Sequence, residues 1–312
     1  MVRSYVFLMI TVIIFSGNLL VGKAISDLPP ITITFFRCLI ALLIVIPFAW
    51  KQLKWQNHVL FENWKPLLGF ALTGIVTFNV LVYLALNYTS AINAGIVEAS
   101  TPMFAVILGF FILKERLSKR QLFGIGLSFV GAVWVLSNGS INMLLSMQFN
   151  PGDLIMLLAI LVWAVYSLLV KQHNHKFPIY SSIVAMLSIA VVFLLPMMLV
   201  EWYIVGYPFV QTDLNHWLGL IYLGIFPSFI ALMLWNLAVA DIGPSLSSVF
   251  LNLLPVFTTI GAVLFLNETL LLAHVLGGLL VIVGVLLVNM NLSNIKYFRK
   301  HKALVIEKGD LK

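Results

Sequence analysis

Ten stretches of about twenty mostly apolar residues run through this 312-residue chain, separated by short connections. They cover residues 5–25, 31–50, 66–87, 90–113, 120–139, 154–171, 179–200, 215–239, 243–266 and 272–292. Hydrocarbon offers the backbone no hydrogen-bond partner, so a spanning segment must be a helix or part of a closed barrel. These runs are continuous and do not alternate, which selects helices. The expected fold class is all-α integral membrane, with ten transmembrane helices. No segment is left for a separate water-soluble domain: the chain is 62% hydrophobic and 9% charged.

The formal net charge of +7 invites a nucleic-acid reading, but the placement of the charges rejects it. Sixteen of the 18 Lys and Arg fall in one set of alternate connections, the two tails, or the helix ends beside them. The opposite connections (26–30, 88–89, 140–153, 201–214 and 267–271) hold neither residue type. That asymmetry predicts that both termini are cytoplasmic, in agreement with an even number of spans, which puts them on one side. The run Tyr5–Gly22 is long enough to span, so the first segment reads as a retained helix and not a cleaved leader. Cys38 is the single cysteine, so no disulfide forms within the chain. The basic tail, 293–312, fits a contact with membrane lipids.

The second half repeats the first. Adding 153 pairs Trp64 with Trp217, Pro102 with Pro255, Glu115 with Glu268, Gly124 with Gly277 and Gly131 with Gly284. Upstream, an offset of 148 pairs Lys23 with Lys171 and Pro30 with Pro178. Each half holds five spans, an odd number, so the second half is expected to enter the bilayer from the opposite side. The expected units are 1–139 (helices one to five), a connection at 140–153, 154–292 (helices six to ten) and the tail 293–312. Inverted repeats are a common construction of secondary transporters, because two like halves can exchange shapes.

Three sets of residues carry a family likeness. Thr89-Ser90-Ala91, Thr101-Pro102 and Leu113-Lys114-Glu115-Arg116-Leu117-Ser118 form one copy of a pattern. Gly243-Pro244-Ser245, Leu254-Pro255 and Leu266-Asn267-Glu268-Thr269-Leu270 form the second. Glycine-bearing helices follow each copy. Over residues 4–292 the chain resembles the EamA-type carriers of the drug/metabolite transporter superfamily. The resemblance implies a plasma-membrane secondary carrier, often an exporter, with a central cavity for a small-molecule substrate. The implied substrates are amino-acid-like or drug-like metabolites. A channel- or receptor-like helical bundle is the alternative, and the repeats favour the carrier.

Glu98 is the sharpest candidate, because a carboxylate within a span costs several kcal/mol unless it meets a cavity or a partner. It suits proton coupling or recognition of a substrate amine; a packing ion pair with Arg37 is the other reading. Arg37 suits a substrate carboxylate, the Glu98 pair, or snorkelling to the outer interface. Asn18 and Tyr166 match under the 148 offset, as do Phe15 and Trp163, while Tyr83 and Asn236 match under 153. Polar or aromatic in both copies, Asn18, Tyr83, Trp163, Tyr166 and Asn236 are candidates for substrate binding. Other intramembrane polar groups, Asn79 and Ser228 among them, read mostly as helix-to-helix contacts. Pro102, Pro255 and Pro227 sit in spans, and Pro102 and Pro255 are expected kinks. Glu115 and Glu268 are expected to anchor the interface or cap the following helix.

No catalytic set is present. The chain lacks a Gly-x-x-x-x-Gly-Lys loop, a His-Glu-x-x-His pair and a Gly-x-Ser-x-Gly turn, so an enzyme is not expected. His173 and His175 read as a solvated loop, so neither a metal nor a cofactor is expected.

Overall fold

The computed structural model describes residues 2–101, 103–104, 107–108, 111, 118–136, 139–142, 150–173, 176–205, 212–242 and 249–289. Twelve α-helices run through them. α1 is Val2–Ala24, α2 Pro30–Glu62, α3 Trp64–Phe70, α4 Phe78–Leu86, α5 Ala91–Glu98 and α6 Lys119–Leu136. α7 is Pro151–His173, α8 Ile179–Val205, α9 Leu214–Ile225, α10 Leu232–Ile242, α11 Leu254–Phe265 and α12 Leu272–Asn289. Wider π-turns, Ala71–Thr77 and Phe226–Ala231, join α3 to α4 and α9 to α10 without a break. Among the described residues there is no strand.

Six helical stretches are long and apolar enough to cross a membrane: Arg3–Ala24, Pro30–Trp55, Trp64–Leu86, Pro151–Val170, Ile179–Val205 and Leu214–Ala238. Shorter apolar helices cover Leu122–Val135, Leu254–Phe265 and Leu272–Gly284. Of the expected span 90–113, the part described as a helical element is α5. Glu115, Pro102 and the tail after residue 289 lie outside the described residues.

One boundary differs plainly from expectation. α2 does not end near residue 50 but continues to Glu62, 33 residues or about 50 Å in all. Residues 51–62 contain no Gly or Pro, so nothing stops the helix after the apolar run ends.

The bundle is apolar inside and out. Leu8, Val12, Leu19, Ile33, Ala41, Val45 and Val82 are fully buried. Leu43, Phe48, Val192, Leu199, Leu264 and Phe265 face outward, each more than half exposed. Water would penalise such a surface; hydrocarbon does not.

Helix boundaries recur along the chain. Adding 153 to Lys119–Leu136 reproduces α12, Leu272–Asn289. Adding 148 to α1 and to the start of α2 lands within one residue of α7 and of the start of α8. The heaviest packing joins these like elements: α6 lies against α12, and α2 against α8. Likewise α1 packs on α10 and α11, while α7 packs on α4 and α5. The main partners of each half therefore belong to the other.

Glycine makes the α6–α12 contact close. A Cβ on Gly131 would lie 2.7 Å from the Gly277 carbonyl oxygen, and one on Gly284 2.6 Å from that of Gly124. Helices in lipid gain little from apolar burial against one another, so close backbone approach carries their association. Gly126 has open space before it and takes no part in the seam.

Carboxylates finish several helix ends. Asp213 accepts from the backbone N–H of His216 at 3.0 Å, capping α9, and His216 reaches Asp27 at 2.7 Å. The His216 amide beside Asp213 holds its carboxyl below the usual carboxylate range. Because the folded-state value is lowered, the cap is intact above the ordinary range and fails only as pH falls through the lowered one. Amide exchange should show constant protection of the His216 N–H down through the ordinary Asp range, then loss. A separate test addresses the seam: Gly284→Leu should lower stability by about 1–3 kcal/mol through overpacking, read as a lower Tm in detergent, while Gly126→Leu should not.

Candidate functional site

The site begins with two widened turns. Proline has no N–H, so Pro227 cannot bond back along α9, and a freed carbonyl in hydrocarbon must find another donor. The Ser228 hydroxyl supplies it, donating to the Leu223 oxygen at 2.7 Å. In the other half, the Asn79 side chain donates to the Ile75 oxygen at 2.8 Å. Adding 153 to 71–77 gives 224–230, so the two π-turns overlap almost completely. Such turns are often found at functional sites. Gly74, Ile75, Pro227 and Ser228, all in the two turns, line one cavity.

Arg37 projects from α2 into that cavity and is 4% exposed, so it does not snorkel to the interface. Its Nε donates to Ser228 Oγ at 2.8 Å. Nη1 donates to Asn18 Oδ1 at 2.9 Å and Asn79 Oδ1 at 2.7 Å, and bonds the Tyr83 hydroxyl. The Tyr83 ring lies 5.4 Å from the guanidinium carbon. Every partner is neutral. Four residues from α1, the α3–α4 segment and the α9–α10 segment thus orient a charge without cancelling it.

Glu98 lines the same cavity, yet it makes no ion pair with Arg37. The sequence places it near the middle of a span; the structure places it at the last position of α5. Beyond it the chain turns. Ser100 N–H bonds Val97 O at 3.0 Å, and Met103 N–H bonds Ser100 O at 2.9 Å. The Ser100 and Thr101 hydroxyls satisfy the carbonyls of Val97 and Glu98 at 2.6 and 2.5 Å. A carboxylate at a helix C-terminus meets the negative end of the helix dipole, and α5 carries no basic residue in its last turn to offset it. The matching stretch of the second half is also irregular: a 3₁₀ turn, Val249–Leu253, precedes α11. Pro255 sits in the first turn of α11, where proline is tolerated, directly after that change of pitch.

Aromatic rings form the remaining wall. Trp163 stands 4.6 Å from Phe78 and 6.5 Å from Phe15, and all three line the cavity with Leu187 and Leu232. Tyr166 lies behind Trp163, at 4.9 Å, and packs on Gly74, where a Cβ would sit 2.5 Å from its ring. The cavity holds about 50 Å³. At about 10–15 Å³ each, that is room for a handful of waters.

Arg37, Glu98, Asn18 and Trp163 therefore meet at one cavity, with Tyr83 bracing Arg37. Asn236 does not line it: it is buried on α10, with an oxygen that has no partner among the described residues. Asn79 and Ser228 are the residues that sequence reasoning undervalued. The proline beside Ser228 was the available signal.

A family model of EamA-like transporters matches the chain twice, over residues 2–137 and 150–290. The chain belongs to the EamA-like transporter family. The uncharacterized transporter YyaM of Bacillus subtilis is 28% identical over 249 residues, 78% of this chain and 79% of its own. An uncharacterized transporter of Archaeoglobus fulgidus is 28% identical over 289 residues, 91% of this chain and 96% of its own. A solved crystal structure superposes with a TM-score of 0.65 at 20% identity, covering 91% of this chain and 94% of that one, which shows the shared fold. This EamA-like protein is thus a multi-pass membrane protein of a transporter family, and its named relatives are transporters rather than enzymes.

Ser228→Ala would leave both the Arg37 Nε and the Leu223 carbonyl without a partner. A destabilisation of about 1–3 kcal/mol for each orphaned group is expected, measured as thermal unfolding, with Ser228→Thr largely restoring it.

Proposed function

We propose that this chain is a secondary carrier whose solute is a small, amino-acid-like metabolite with a carboxylate. The carrying observation is Arg37: a buried guanidinium, oriented by Asn18, Asn79, Tyr83 and Ser228, with no carboxylate paired to it among the described residues. A solute carboxylate supplies the missing negative charge. Glu98, across the same cavity, takes the solute ammonium or the coupling proton. The rings of Phe15, Phe78 and Trp163 receive the apolar part. This arrangement favours an amino-acid-like solute over a purely cationic drug, which Arg37 would repel.

The proposed motion is alternating access between two inverted five-helix halves, residues 1–139 and 154–292, ten spans in all. Support comes from the two family matches, the shared helix boundaries and the overlapping π-turns. The plasma membrane, with both termini cytoplasmic, is the proposed location, supported by the one-sided Lys and Arg. Export is the direction that the family resemblance implies. An uncoupled channel or receptor-like bundle is the competing reading, and unsaturable conductance would favour it.

Counterflow in proteoliposomes tests the proposal. Saturable uptake of an amino acid is expected, and Arg37→Lys should weaken apparent affinity about 10- to 100-fold, the value of one or two charge-assisted bonds. Asn18→Asp should neutralise Arg37 from within and abolish uptake while the protein remains folded. For coupling, Glu98→Gln should remove the pH dependence of flux with insertion intact; normal, pH-responsive transport by that variant would end the coupling role.

A further inference from the structure

Several contacts join the two halves at the end of the bundle whose connections lack Lys and Arg. Glu201, near the end of α8, accepts from the N–H groups of Ile31 and Thr32 at 3.0 and 2.8 Å, and from the Thr32 hydroxyl at 2.8 Å. Glu268, after α11, accepts from the N–H groups of Ala91 and Ile92 at 2.7 and 3.1 Å. Asp153, at the start of α7, accepts from the Thr89 hydroxyl. His216 holds Asp27 at 2.7 Å. The cap expected within one half is therefore made across halves: Glu268 finishes α5 and not the helix that follows it.

Two of these are a particular kind of bond. In each, a carboxylate of the second half closes on the N–H groups of a helix N-terminus in the first. Charge assistance makes such bonds roughly twice as strong as neutral ones, and the positive end of the helix dipole adds to them. The opposite end of the bundle is tied differently. There the first half caps the second, with Gln52 of α2 accepting from the N–H groups of Tyr180 and Ser181 at 3.1 and 3.2 Å. This is the counterpart of the Glu201 contact, since the start of α8 matches the start of α2, but the acceptor is a neutral amide. The Ser4 hydroxyl also bonds Asp241 at that end.

We propose that the Glu201 and Glu268 carboxylates are the outer gate of the carrier, holding its outer mouth shut by gripping the N-termini of α2 and α5. The inference rests on the alternating-access reading above. Opening the outer mouth separates α8 from the start of α2 and the 267–271 connection from the start of α5, so both grips must break. The Gln52 contact on the inner side is made by a neutral amide, so of this matched pair the outer one is the stronger. Glu201 and Glu268 are positioning residues: they set which mouth is open and touch no solute.

Accessibility of a single cavity thiol tests this. With Cys38→Ser in place, Ile75→Cys puts a thiol on the cavity lining, and a membrane-impermeant maleimide is applied to one face of oriented vesicles at a time. Glu201→Gln with Glu268→Gln should raise labelling from the outer face at least tenfold and reduce it from the inner face. Gln52→Glu, which strengthens the inner grip, should shift labelling in the same sense, toward the outer face. Glu201→Asp, keeping the charge but shortening the reach, should fall between the wild type and Glu201→Gln. If the double variant folds and its outer labelling stays at the wild-type rate, the gate assignment is overturned. If the double variant does not fold, Gln52→Glu decides: a shift toward the outer face supports the assignment, and no shift overturns it. Equal labelling from both faces in every variant would instead overturn alternating access itself.

Discussion

A positive charge held in an apolar bundle by neutral groups, with no carboxylate paired to it among the described residues, is the interaction on which the rest of this structure depends. The Arg37 guanidinium is a donor only and is almost fully buried, so the bundle must supply its acceptors. Asn18, Asn79, Tyr83 and Ser228 do so as neutral acceptors drawn from α1, the α3–α4 segment and the α9–α10 segment. That requirement brings elements of both halves to one point. It also leaves the cavity positive on one side, which is why the proposed solute carries a carboxylate.

The backbone solves a related problem. At three interruptions of the helical ladder around the cavity, a nearby side chain supplies a donor. Ser228 answers the carbonyl freed by Pro227, Asn79 answers Ile75, and Ser100 and Thr101 answer the end of α5. Hydrocarbon penalises an unanswered carbonyl, and these side chains remove that cost at the turns they serve. These same turns shape the cavity. Glycine serves the opposite purpose in α6 and α12, where backbones touch and nothing irregular is needed.

Much of this was legible in the chain. The apolar runs, the one-sided cations and the repeated Trp, Pro, Glu and Gly positions follow from periodicity and charge, which lipid makes unusually strict. Arg37 and Glu98 stood out because charges are rare inside spans. Their relation did not. Opposite charges in one apolar region suggest a pair, but the structure gives Arg37 neutral partners and leaves Glu98 at a helix end. Asn79 and Ser228 were hidden among many hydroxyls and amides, since a polar residue in a span looks the same whether it braces a helix or solvates a guanidinium. The run of α2 beyond residue 50 was missed because the apolar signal stops where the helical propensity does not.

What the amino-acid order determined alone is the solvent the protein lives in and the doubling of its architecture. Both follow from local quantities: how long each apolar run is, which connections carry charge, and which residues recur at a fixed offset. Tertiary packing alone decided which charge meets which neutral group, where α5 stops, and that Glu268 caps a helix of the opposite half. Those are contacts between residues tens to hundreds of positions apart, and lipid, being apolar itself, does not dictate which helix faces which. Close backbone approach and the need to satisfy each buried polar group make that choice.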